Sequence, residues 1–384
     1  MTTPAAVIIS NESPFARDVF AKRHPALIDQ VTAAFPFGPE QRQALALLAE
    51  ENVSGVIEPL PGNAVDSVQW LAWGAEYYGK PWAAVPFLWA ESYFYRRLLE
   101  AVDYFAPGPW HGIDLFAPFK RAELAGEMVA GEIAALDDLT NLSETERGQA
   151  LLLGSLWGNR ADLALQITAG RGSKAHSLVA DDSAGLWDLL HTGSEGTVAL
   201  VMDNAGSEAV ADLALVDHLL TTGLANEVVL HTKPVPYYVS DATLTDVADC
   251  LRTLLASTGE GGAVGERLRT LAAGGRLRVR TDAFWCSPLD FTAMPAGLRG
   301  ELGTATVTVF KGDLNYRRLV GDRWWKPSSA FDEAVSYFSG PVAALRTLKS
   351  DVITGIGQKQ QADLDALTPG WRTSGTHALV QVRP

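Results

Sequence analysis

The sequence predicts an α/β fold, a parallel sheet entered after a long helical stretch, and three observations carry the prediction. Residues 197–208 read TVALVMDNAGSE, an apolar run that meets Asp203, Asn204 and Gly206. Such a run, bounded by glycine and followed by a helical pattern, reads as a buried parallel strand opening into a helix. Strand and helix patterns then alternate through residues 197–255, which argues for parallel pairing with right-handed crossovers. Residues 13–135, by contrast, read as helices.

At 384 residues the chain is long enough for one large domain or two ordinary ones. Hydrophobic residues make up 47% and charged residues 20%, a globular composition. The net charge of −14 gives no sequence-wide attraction to nucleic acid or to an anionic membrane, so an anionic substrate needs a local basic pocket or a bound cation. Two cysteines, Cys250 and Cys286, cannot build a disulfide framework, which fits a reducing cytoplasm. The first residues lack a basic stretch before their short apolar core and do not read as a signal peptide. No apolar run reaches the roughly 18 residues of a membrane span.

In chain order, residues 14–34, 39–51 and 66–78 carry apolar residues at helical spacing between Pro and Gly breaks. Residues 87–97, FLWAESYFYRR, form an aromatic helix, either a core helix with snorkelling arginines or a wall of the site with Glu91 or Arg96 reaching in. Residues 103–118 are a loop rich in aromatics, proline and glycine, and 121–136 a further helix. Ser143 to Glu146 resembles a capping box opening a long helix, in which Asn159 and Asp162 share a face and Gly154 and Gly158 imply close approach. Asp241 is either the N-cap of the helix after the 226–231 strand or faces Asp203 across neighbouring strand ends. The glycines of 259–265 follow a helix, not a strand, and read as a surface turn. Residues 277–281, 304–310 and 343–349 are strands, and 379–382 a last strand at an edge.

Four segments would then end at one rim: Asp203 with Asn204, Asp241, Asp313 to Arg317, and Arg346 to Lys349. Carboxylates and an amide offer the all-oxygen coordination that suits Mg²⁺ or Mn²⁺. Arginine by its fork and lysine as a point charge suit phosphate, and a metal with a cationic clamp is what phosphoryl transfer requires. Zinc motifs, a serine-hydrolase elbow and a Walker loop are absent from the sequence.

The stretches LWGNRADL (156–163), MDNAGSE (202–208), FKGDLNYR (310–317) and RTLK (346–349) closely resemble the damage-control phosphatase family, in the same order. RTLK fits the Arg-Thr-x-Lys signature of its sugar-phosphate subfamily. The resemblance implies a three-layer α/β/α sandwich with a mostly parallel central sheet, residues 141–384, behind an N-terminal helical domain, 1–140. It implies a divalent metal, commonly manganese, with magnesium, cobalt or nickel as other choices, held by Asp203, Asn204 and Asp241. Substrate contacts fall by the same likeness to Asp313, Leu314, Asn315, Tyr316, Arg317 and Lys349, and Arg346, Asn159 and Glu208 are further candidates. The implied reaction is hydrolysis of small sugar phosphates, fructose 1-phosphate and fructose 6-phosphate being typical, in the clearance of damaging metabolites.

In the mechanism this supports, Lys349, helped by Arg317 or Arg346, neutralises the phosphoryl oxygens, and the nucleophile is water or the Asp203 carboxylate. Two alternatives stand beside it. One is an S-adenosylmethionine-dependent carboxyl methyltransferase, an activity also ascribed to the subfamily, with Glu208 and Asp241 at the methyl donor. Only Gly206 follows the first strand, however, where a donor loop wants several glycines. The other is a non-catalytic sugar-phosphate or metal-binding protein.

Overall fold

The computed structural model describes residues 5–157 and 177–384. Seven strands form one sheet: β1 (Ser177–Asp181), β2 (Thr197–Val201), β3 (Glu227–Thr232), β4 (Leu277–Thr281), β5 (Val307–Lys311), β6 (Val342–Thr347) and β7 (His377–Arg383). Their order is β1-β7-β6-β5-β2-β3-β4, and every pair is parallel except β6 with β7.

Helices cover both faces, as the alternation of side chains along β2 records. Val198 and Leu200 join one apolar cluster with Leu151, Val210 and Leu213 of the helices Glu144–Trp157 and Ser207–Thr221. Ala199 and Val201 join the opposite cluster with Tyr316 and Leu319 of the helix Gly312–Val320. That second cluster continues into the N-terminal helices through Phe20, Leu27, Trp82, Phe87 and Phe94. The three-layer α/β/α architecture is therefore present, and no helix among the described residues is long and apolar enough to cross a membrane.

The chain leaves β2 by a helix on one face towards β3, and leaves β5 by a helix on the other face towards β6. Adjacent strands whose following helices diverge leave a crevice at their carboxyl ends, where α/β proteins bind ligands. Val201 pairs with Phe310 in register, so Asp203 and Gly312 emerge side by side into that crevice.

Several expectations are corrected. β7 is not an edge strand: it lies between β6 and β1, and β1, a short SLVAD stretch with little alternation, was not anticipated. Residues 259–265 are the first turns of the helix Gly259–Ala273 rather than a surface turn. Their glycines serve packing, since a Cβ on Gly265 would lie 2.7 Å from the Leu255 backbone nitrogen. The helix expected over 121–136 is two, Ala117–Leu124 and Glu127–Leu139, broken at Gly126. Asp241 is not an N-cap; Thr243 caps the helix Leu244–Ala256, completing a capping box with Asp246.

Candidate active site

Asp203 and Asn204 follow β2 by two and three residues, and Asp241 comes to them from the loop after β3. Asn204 and Asp241 form an isolated antiparallel bridge, reinforced by Ala242 N donating to the Asp203 carbonyl at 2.8 Å. Backbone pairing thus joins the three residues before any side chain does. The Asn204 amide then donates to Asp203 Oδ2 at 2.8 Å and to Glu208 Oε2 at 2.9 Å, and its oxygen accepts from Ser240 Oγ at 2.6 Å. Asp241 Oδ2 accepts from Tyr238 N at 3.3 Å and stands 3.6 Å from Lys233 Nζ.

Charge in this corner is unbalanced. Burial, then Glu208 and Asp241, push the Asp203 carboxyl well above the usual carboxylate range, against the pull of Lys233 and Lys349. Lys311, buried below the site, is taken by Asp212 at 2.8 Å with Glu208 at 3.5 Å. Two carboxylates and an amide oxygen short of positive charge are a donor set that suits a hard divalent cation. Among the described residues no three His, Cys, Asp or Glu side chains cluster as metal ligands.

The motif after β5 is the start of the helix Gly312–Val320, and its residues diverge. Asp313 Oδ1 accepts from Arg346 Nε at 2.8 Å, Lys349 N at 3.1 Å and Ser350 Oγ at 3.1 Å, which ties down the loop carrying Lys349. Burial works to raise the Asp313 pKa, but Arg346, Arg317 and these hydrogen bonds hold it below the ordinary value. Asn315 donates to Met202 O at 3.1 Å and Lys311 O at 2.8 Å, stitching the ends of β2 and β5 together. Leu314 packs with Leu88 and Tyr237, and Tyr316 OH bonds to Thr354 and Gln381 at 2.9 Å each. Arg317 is committed to Glu91 at 2.7 Å and Asp322 at 2.8 Å, and Arg346 to Asp313, under a stack on the Tyr316 ring. Arg96 pairs with Asp66 and Glu100. Asn159, with Gly158 and Asp162, lies outside the described residues.

A cavity of about 320 Å³ opens at this corner, lined by Asn204, Ser207, Glu208, Ser240, Lys349 and Glu123 among others. Larger cavities of about 480 and 650 Å³ flank residues 234–236 and contain none of these groups, so chemistry and not size marks the site.

Three contributors were missed in the sequence. Lys233 follows the last residue of β3 much as Asp203 follows β2, a signal that the strand-end rule could have caught. Lys120 and Glu123 come from the helix Ala117–Leu124, far away in sequence. Lys120 donates to the Asp241 carbonyl at 2.9 Å while paired with Asp246 and Asp114, and Glu123 accepts from Ser207 N at 3.1 Å. Nothing in their local pattern distinguishes them from a solvated helix face.

Comparison with known proteins places the chain in a family over most of its length. The family model of the damage-control phosphatase ARMT1-like domain matches residues 19–364. The chain is similar to damage-control phosphatase ARMT1 of Mus musculus, 30% identical across 99% of this chain and 98% of that protein. It is 32% identical to the Danio rerio protein of the same name, across 78% of this chain and 74% of that one. Among solved structures, a DUF89-family protein from Pyrococcus horikoshii shares the fold, with a TM-score of 0.50 and 15% identity over 91% of this chain and 93% of that one. The chain belongs to the ARMT1-like damage-control phosphatases.

Proposed function

We propose that this damage-control phosphatase hydrolyses monophosphate esters of small sugars, fructose 1-phosphate and fructose 6-phosphate among them. The reaction would depend on a divalent cation held by the Asp203 and Asp241 carboxylates and the Asn204 amide oxygen. The carrying observation is that Asn204 and Lys349 line one cavity of about 320 Å³, beside the buried Asp203. That is the small end of the range of ligand pockets.

When bound, the cation, manganese first among the expected metals, supplies Lewis-acid polarisation of the phosphoryl group. The chain's own residues do the rest. Lys349 neutralises charge on the phosphoryl oxygens. Asp313 keeps the Lys349 loop in place through Lys349 N and Arg346. Asn204 is oriented by Ser240 and Glu208, so its amide oxygen keeps a fixed direction. Arg317 and Arg346 act on this reading by positioning, since each guanidinium is buried against its own carboxylate. The same reading takes residues 1–140 as a helical unit and 141–384 as the catalytic unit, the former supplying Lys120 and Glu123.

The test is phosphate release from chelator-stripped protein offered the two fructose phosphates and an aryl phosphate, with Mn²⁺, Mg²⁺, Co²⁺ or Ni²⁺. Metal-dependent release with preference for the sugar phosphates is expected. Release from the aryl ester alone would remove the sugar-phosphate assignment.

A further inference from the structure

We propose that Glu123 makes the cavity selective for singly phosphorylated, otherwise neutral substrates by repelling a second phosphate; this rests on the phosphatase reading above. The amides at a helix N-terminus ordinarily attract phosphate. Here the first turn of the helix Ser207–Thr221 borders the cavity, and the chain fills that place itself. Glu123 Oε1 accepts from Ser207 N at 3.1 Å and from Ser207 Oγ at 3.0 Å. Gly206 just before it has φ +67°, and a Cβ there would lie 2.5 Å from Glu123 Oε1, so the carboxylate sits directly over the entry to the helix. Its helix is anchored one turn earlier by Lys120, which grips Asp246, Asp114 and the Asp241 carbonyl.

The charges around the cavity then sort a ligand end to end. Among the described lining residues Lys349 is the one cation, whereas Glu123 and Glu208 are carboxylates. A phosphate against Lys349 and the Asp203–Asn204–Asp241 corner leaves the rest of the ligand facing the other lining groups. Hydroxyls there can donate to Glu123 or exchange hydrogen bonds with Ser207, whereas a second phosphate meets like charge.

The experiment compares kcat/KM for fructose 1-phosphate, fructose 6-phosphate and fructose 1,6-bisphosphate in the metal-loaded full chain, as wild type, Glu123→Gln and Glu123→Lys. Wild type is expected to favour the monophosphates by roughly tenfold or more, the scale of one like-charge contact. Glu123→Gln should narrow that ratio and Glu123→Lys narrow it further, mainly through KM for the bisphosphate. Melting curves establish that both variants fold; should Glu123→Lys not fold, Glu123→Gln decides, because it keeps an acceptor for Ser207. Equal kcat/KM for mono- and bisphosphate in wild type, or a ratio that the folded variants leave in place, overturns the assignment. No release from any of the three sugars, with an aryl phosphate still hydrolysed, overturns the sugar-phosphate reading, and this inference with it.

Discussion

Gly312 faces the carboxylate of Asp203 so closely that a Cβ on it would overlap Oδ2 and the carboxyl carbon. Gly312 also has φ +83°, a region that side chains other than glycine's enter at a cost. The glycine of the Lys-Gly-Asp motif therefore makes room for the acid at the end of the neighbouring strand. Gly312→Ala should move Asp203 and reduce turnover by roughly a hundredfold, the usual consequence of a displacement near 1 Å. Steady-state kinetics beside melting curves check this; full activity in a folded variant would remove the glycine from the account.

Lys349 is held through its backbone. Its amide donates to Asp313 Oδ1 at 3.1 Å, and Lys349 lines the cavity. Lys349→Ala should lower kcat/KM by about 10- to 100-fold, as expected for one charged hydrogen bond. Asp313→Asn should produce a smaller loss, by loosening the loop without removing the charge. A Lys349→Ala enzyme with unchanged kcat/KM would assign phosphate handling elsewhere.

Arg317 joins the aromatic helix to the sheet layer. It bonds Glu91 at 2.7 Å and Asp322 at 2.8 Å and lies over the Phe87 ring, all buried. Arg317→Met leaves two buried carboxylates without their cation, which should cost about 3–5 kcal/mol in denaturant unfolding. Glu91→Gln combined with it should recover part of that loss, because one stranded charge is removed. A loss no larger than that of an exposed pair would show that water reaches this cluster.

Much of this was legible in the sequence because strand ends announce themselves. TVALVMDN is an apolar run stopped by an acid and an amide, a pattern that by itself puts Asp203 and Asn204 at a sheet rim. The parallel alternation of β2, β3 and β5 with their helices was legible for the same reason. What stayed hidden depends on pairing between distant segments. β7 lies inside the sheet because β1, some 200 residues earlier, pairs with it, and five residues carry too little pattern to reveal that. Arg317 and Arg346 read as free cations in sequence; only tertiary packing shows them opposite Asp322 and Asp313. Glu123 and Lys120 stood on an unremarked amphipathic turn.

His24 gives the fold a sensitivity to acid. Its ring stacks on Phe94 with centroids 3.5 Å apart and meets Asn52 Oδ1 at 3.1 Å. Burial lowers its pKa from 6.5 to about 3, with Asn52 acting in the opposite direction. The unfolded chain takes up the proton below pH 6.5 while the folded one does not, so stability is full above that pH and falls as pH drops towards about 3. His24→Gln should remove about one proton from that slope, about 1.4 kcal/mol per pH unit. Unfolding free energies measured across this range check it; parallel curves for the two proteins would contradict it.

The most direct test of the central claim is metal-dependent phosphate release by wild type and Asp203→Ala, measured together with Mn²⁺ binding to each. The account predicts that the wild type binds Mn²⁺ and releases phosphate from fructose 1-phosphate only when the metal is restored. Folded Asp203→Ala should lose both. Release by Asp203→Ala at the wild-type rate would contradict the assignment of Asp203, Asn204 and Asp241 as the centre of the site.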